Sequence, residues 1–142
     1  MAIIRNASAH WEGSLMEGAG KVTFESSDLG THDVTWASRA TESNGLTSPE
    51  ELIAAAHSTC FSMALSHALA EAGTPAETID TSAAVGFKPG TGITDITLTV
   101  TGKVPGLDAA AFEQAAQGAK ENCPVSQALK SVPITLEVTF TE

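Results

Sequence analysis

The stretch from Ser48 to Gly73 constrains this chain more than any other. It opens Ser48-Pro49-Glu50-Glu51, with Ser48 suited to the N-cap, Pro49 to the first helical position and Glu51 to closing a capping box. Gly73, after Glu71-Ala72, is the expected stop, giving a helix of roughly two dozen residues and about 35 Å. Its apolar residues, among them Leu52, Ile53, Phe61, Met63, Leu65 and Leu69, fall on nearly every face. A helix apolar all round is buried on several sides. A chain of 142 residues has trouble supplying that cover from itself, so burial against a partner subunit is expected. His57, Ser58, Thr59, Ser62, Ser66 and His67 interrupt the run, and it is not read as a membrane span.

The rest of the chain alternates short strands with helices. Ser8–Glu12, Val22–Glu25 and Val34–Arg39 read as strands, with a turn at Glu17-Gly18-Ala19-Gly20. Residues 78–87 and 93–104 read as a β-hairpin pair, in which Ile96, Leu98 and Val100 alternate with threonines as a strand buried on one face should. Asp108 caps a second helix from Ala109 to about Lys120. A short helix follows, with Cys123 at its N-cap and Pro124 at its first position, and Ile134–Phe140 is a last strand. No linker or repeat divides the chain, so one domain spanning 1–142 is expected, of α+β class.

Charge excludes several functions. At a net −10, with Arg5 and Arg39 the sole arginines, there is no electrostatic case for nucleic acid or anionic lipid. The opening residues, Met1 to Asn6, carry neither a long apolar run nor a cleavage pattern, so a cytoplasmic protein is expected. In a reducing compartment the two cysteines, Cys60 and Cys123, are expected free or catalytic rather than a static disulfide. No CxxC or HxxxH completes a metal set around His57 and Cys60, so no metal is expected.

Each thiol has a bland and a chemical reading. A cysteine in an alanine-rich helix is often packing. Cys60 lies eleven residues past Pro49, beyond the reach of the helix dipole, and apolar burial raises a thiol pKa. A reactive Cys60 therefore requires a cation brought by tertiary structure. A guanidinium about 4 Å away supplies about 4 kcal/mol at an effective dielectric of about 20. That exceeds the roughly 2 kcal/mol needed to bring a thiol to neutrality. Arg39, at the end of its expected strand, is the better cation, with His57 as runner-up and Arg5 near a terminus. Cys123, at a helix N-cap, has its own claim to be a thiolate, or serves merely as a cap. The order of attack stays open on these residues alone.

Two segments resemble the OsmC/Ohr family of thiol peroxidases: Ser48-Pro49-Glu50-Glu51-Leu52-Ile53 running on to His57-Ser58-Thr59-Cys60-Phe61-Ser62-Met63, and Cys123-Pro124-Val125-Ser126-Gln127. Ala9-His10-Trp11-Glu12-Gly13 and the position of Arg39 resemble the OsmC branch. Where the Ohr branch carries its arginine, Gly18-Ala19-Gly20 is followed by Lys21. The resemblance implies the OsmC-like fold, antiparallel β-sheets wrapped around long central helices in an intertwined homodimer. It implies Cys60 as the peroxidatic nucleophile, Cys123 as the resolving thiol, Arg39 as stabiliser of the Cys60 thiolate and Glu50 as the group orienting Arg39. It also implies reduction of organic hydroperoxides, and less well hydrogen peroxide, with a lipoyl-bearing protein as dithiol reductant and no cofactor. Ile53, Phe61 and Met63 would suit apolar substrates. Glu50 precedes Cys60 by ten residues, about 15 Å along one helix, so Glu50 is expected to serve the other subunit's site. The rival readings are a non-catalytic stress or binding protein with structural thiols and a general thiol–disulfide oxidoreductase, which would ordinarily carry CxxC.

Overall fold

From the N-terminus the elements are β1 (Ala7–Glu12), β2 (Ala19–Phe24), β3 (Gly30–Val34), α1 (Trp36–Ala40), α2 (Pro49–Glu71), β4 (Thr78–Lys88), β5 (Gly92–Lys103), α3 (Ala109–Asn122), α4 (Pro124–Ala128) and β6 (Ile134–Thr141). This is a computed structural model that describes residues 1–141. The chain partitions into two compact units, Met1–Leu52 and Ile53–Glu142, with the boundary inside α2.

In the first unit β1, β2 and β3 form an antiparallel meander. Trp11 lies across Gly20 on the neighbouring strand, and a Cβ there would meet the indole at 2.5 Å. The indole N–H donates to the carbonyls of Gly13 and Ser14. No large apolar side chain of this unit is fully buried, and Ile3, Ile4, Leu15, Met16 and Leu29 are exposed. A sheet face without a core behind it needs cover from elsewhere.

The strand expected over Val34–Arg39 ends at Val34, and Trp36–Ala40 is a helical turn instead. Thr35 and Ser38 cause the change. The Thr35 hydroxyl accepts from the Ser38 N–H, and the Ser38 hydroxyl accepts from the Thr35 N–H. This reciprocal cap satisfies two donors that a strand would have left to a neighbour. It also moves Arg39 from a strand end to the last turn of α1.

In the second unit β4 and β5 pair as the expected antiparallel hairpin. The expectation of antiparallel sheets fails at β6, which runs parallel to β5 from Ile96↔Ile134 to Lys103↔Thr141. A parallel neighbour needs a crossover, and the chain makes it through α3 and α4. The alternation read from the sequence holds on the central strand: Ile96, Leu98 and Val100 are buried between half-buried threonines. Phe61, Leu65 and Leu69 of α2 join Leu98 and Val100 of β5 and Phe112, Ala116 and Ala119 of α3 in one core, with Cys123 in the same cluster. Full burial of each large member contributes about 1.5–3 kcal/mol.

α2 is buried along one stripe in the single chain, at His57, Phe61, Leu65 and Leu69, while Met63 is 67% exposed. Ala55, Ala56, Ala68 and Ala70 are also exposed. By length and composition α2 is apolar enough to cross a membrane, with mean hydropathy 1.3. Its buried stripe in a helix–sheet core is what a core helix also displays.

Gly102 gives a test of this core. A Cβ there would run into the ring of Phe112, which is fully buried and has nowhere to swing. Gly102→Ala is expected to destabilise the fold by about 1–3 kcal/mol through overpacking, read as a lowered denaturant midpoint.

Candidate active site

The first unit presents Arg39 and Glu50 as a fork. Arg39 Nε donates to Glu50 Oε1 at 3.0 Å, and Arg39 Nη2 donates to Oε2 at 2.9 Å. The Glu50 side chain is 9% exposed and that of Arg39 31%. A carboxylate that far from water needs a matched partner, and the two-pronged guanidinium geometry supplies one. α1 is held for this by Ser38, whose buried hydroxyl donates to the Thr47 carbonyl at 3.0 Å, just ahead of α2.

The α2 start is built largely as its residues imply. Glu51 N–H donates to Ser48 Oγ at 3.2 Å. The Glu51 carboxylate, however, accepts from the Thr47 hydroxyl, so the capping box is only half made.

The second unit brings the two thiols together. Both cysteines are free, Cys60 half-buried on α2 and Cys123 fully buried where α3 ends and α4 begins. Burial pushes the Cys60 thiol above its ordinary value. The hydrogen bond with Cys123 and charge repulsion from it push the same way, while the backbone of Val125 pulls it down. The burial expected to hinder Cys60 is therefore present. Cys123 stands at the expected N-cap, yet its side chain makes no capping hydrogen bond. α4 is a single turn of five residues.

His57 is the runner-up cation, and its surroundings in the structure disfavour that role. It is fully buried, and burial lowers its pKa, which favours the neutral ring. Its Nε2 lies 2.7 Å from Ser126 Oγ, and its Nδ1 has no partner. Ser126 was not singled out from the sequence. Its signal was positional, since it stands three residues past Cys123 as His57 stands three before Cys60. Of the apolar residues expected near the site, Phe61 is taken up by the core, Ile53 is half-buried and Met63 is exposed. Among the described residues no cluster of His, Cys, Asp and Glu could hold a metal ion.

The arrangement offers a dithiol that can close to a disulfide and a clamped arginine–glutamate pair. The model of the OsmC-like protein family matches residues 42–137, which include Glu50, Cys60 and Cys123. The chain is 46% identical over 140 residues to Peroxiredoxin OsmC of Escherichia coli K12, covering 96% of both proteins. Among solved structures it resembles an OsmC-like protein from Mycoplasma pneumoniae, with a TM-score of 0.75, 11% identity and full coverage of both chains. It also resembles the organic hydroperoxide resistance protein OhrB of Bacillus subtilis, with a TM-score of 0.65, 22% identity and coverage of 96% and 98%. At those identities the structures speak for the fold. The family match and the close relative together make this chain a member of the OsmC-like protein family.

Proposed function

We propose that this chain is a thiol-dependent peroxidase of the cytoplasm that reduces organic hydroperoxides, and hydrogen peroxide less well, to alcohol or water. The observation that carries the reading is the meeting of two reduced thiols, one half-exposed and one buried behind it. The name of the Escherichia coli relative, a peroxiredoxin, supports it. Cys60 is the nucleophile because it is the more accessible of the pair. Its thiolate attacks the terminal oxygen of ROOH, the O–O bond breaks, and ROH leaves once the alkoxide takes a proton. Cys60 is then a sulfenic acid. Cys123 displaces water from it, giving the Cys60–Cys123 disulfide, and an external dithiol reduces that pair. A lipoyl-bearing protein fits as the reductant, since its dithiol closes to a ring.

A buried thiol with a raised pKa needs a cation, and Arg39, clamped by Glu50, is the group proposed to supply it. α2 runs unbroken from Pro49 to Glu71, which sets ten residues, about 15 Å of axis, between Glu50 and Cys60. The pair is therefore proposed to complete the Cys60 site of a second copy, in an intertwined homodimer. The exposed apolar side of α2 and the coreless sheet of the first unit support the same assembly. Within it residues 1–142 act as a single functional domain.

One experiment separates this reading from a non-catalytic protein with structural thiols, which the raised Cys60 pKa of the single chain would favour. Reduced protein is treated with one equivalent of cumene hydroperoxide, and its intact mass is followed. A fast loss of about 2 Da, with cumyl alcohol released, is the expected result. Unchanged mass at stoichiometric peroxide would discard the peroxidase.

A further inference from the structure

α2 and α4 meet at a second contact, one turn from the thiols. His57 Nε2 is 2.7 Å from Ser126 Oγ, with His57 fully buried and Ser126 5% exposed. His57 stands three residues before Cys60, and Ser126 three residues after Cys123. The hydrogen-bonding side chain thus stands three residues from the thiol on both segments, before it on one and after it on the other.

α4 needs such a tether. A helix of five residues is far below the length that holds itself, so its placement is set by tertiary contacts. Its N-cap side chain does not steady it, because Cys123 makes no capping bond. Val125 packs against the core, but apolar contact is non-directional. The His57–Ser126 bond is directional and buried, a contact suited to fixing α4 against α2. The unpartnered Nδ1 sharpens the argument. Leaving a buried ring nitrogen unmet is unfavourable, and an apolar side chain would fill the space without that penalty. The bond made by Nε2 is what explains a histidine here.

We propose that the His57–Ser126 hydrogen bond is a positioning device for the thiol pair, holding α4 so that Cys123 lies within reach of Cys60 for disulfide closure. The step it serves is closure of the disulfide. In the peroxide cycle the assisted step is Cys60–SOH plus Cys123–SH giving the disulfide plus water. Only this place in the cycle rests on the peroxidase reading. With glutathione disulfide as oxidant, the same closure converts two protein thiols to a disulfide and releases two glutathione thiols.

The test is a glutathione redox equilibrium on the full chain, which requires no peroxidase activity. In Ser126→Ala and in His57→Leu the effective concentration of one thiol toward the other is expected to fall about tenfold. Ser126→Thr keeps the hydroxyl and is expected to stay within about twofold of wild type. Gly102→Ala, whose added Cβ meets the Phe112 ring and leaves the His57–Ser126 pair intact, is expected to lower stability without moving the equilibrium. In single turnover with cumene hydroperoxide, the Cys60 sulfenic acid of Ser126→Ala should live about tenfold longer. An unmoved glutathione midpoint in both Ser126→Ala and His57→Leu would overturn the proposal. So would an equal shift in Gly102→Ala, since general destabilisation would then explain everything. A wild type that closes its disulfide with glutathione yet ignores peroxide would sink the peroxidase reading and leave the positioning role intact.

Discussion

Cys60→Ser is expected to reduce hydroperoxide turnover to the uncatalysed background, whereas Cys123→Ser should still consume about one equivalent of peroxide per chain before stalling. The asymmetry follows from the geometry. Cys60 is half-exposed and Cys123 fully buried, so an incoming peroxide reaches the first sulfur before the second. A serine hydroxyl, with a pKa far above that of a thiol, leaves no nucleophile at the accessible position. Removing Cys123 removes only the group that condenses with the sulfenic acid. That acid would then accumulate on Cys60, become trappable by dimedone and proceed under excess peroxide to the irreversible sulfinic form. Intact-mass kinetics on the two variants checks both halves. A Cys60→Ser protein that still burned one equivalent of peroxide would reverse the order of attack and make Cys123 the nucleophile.

Arg39→Ala is expected to lower the rate of the first oxidation at neutral pH by about a thousandfold, the equivalent of the roughly 4 kcal/mol that a guanidinium supplies at about 4 Å and an effective dielectric of about 20. The sign of the pH dependence follows from the Cys60 environment. Burial and the Cys123 contact raise the thiol pKa in the single chain, so without a cation the thiol form prevails well above neutrality. The variant should therefore recover as pH rises, about tenfold per unit, until it passes the raised pKa, whereas the wild type should already have levelled off. Glu50→Ala should show a milder form of the same defect, because Glu50 holds Arg39 through two oxygens without touching the sulfur in this scheme. Co-expression of Cys60→Ser with Arg39→Ala chains tests where the arginine acts. If Arg39 serves the other subunit, each mixed dimer holds one complete site, and about a quarter of wild-type activity should return. If Arg39 serves its own chain, no complete site exists in the mixture and none returns. That second result would remove the shared site from the proposal, as would a fully active monomer.

The parts of this protein legible in its residues are those governed by local physics. The start of α2 at Pro49, the Asp108 cap, the turn between β4 and β5 and the alternation of Ile96, Leu98 and Val100 all depend on neighbours within a few positions. The failures were failures of partner choice. Val34–Arg39 alternates like a strand, but the Thr35–Ser38 cap competes for the same backbone and wins, placing Arg39 on a helix. Of the two readings open for Cys123, helix cap or partner of Cys60, the contact with Cys60 is the one its side chain makes. β6 was expected in an antiparallel setting, and the α3–α4 crossover delivers it parallel to β5.

The order of amino acids alone settled the existence of a long apolar helix, two thiols on separate elements and a net charge of −10. Packing settled the rest: that Cys60 meets Cys123 across 63 positions, that Glu50 clamps Arg39, and that His57 is buried against Ser126, where burial disfavours its charged form. The physical reason is distance along the chain. A cap or a turn is chosen among a few local alternatives, so its residues announce it. A contact between remote side chains exists only after a common core has fixed the helices that carry them, and burial then resets the charge each can hold.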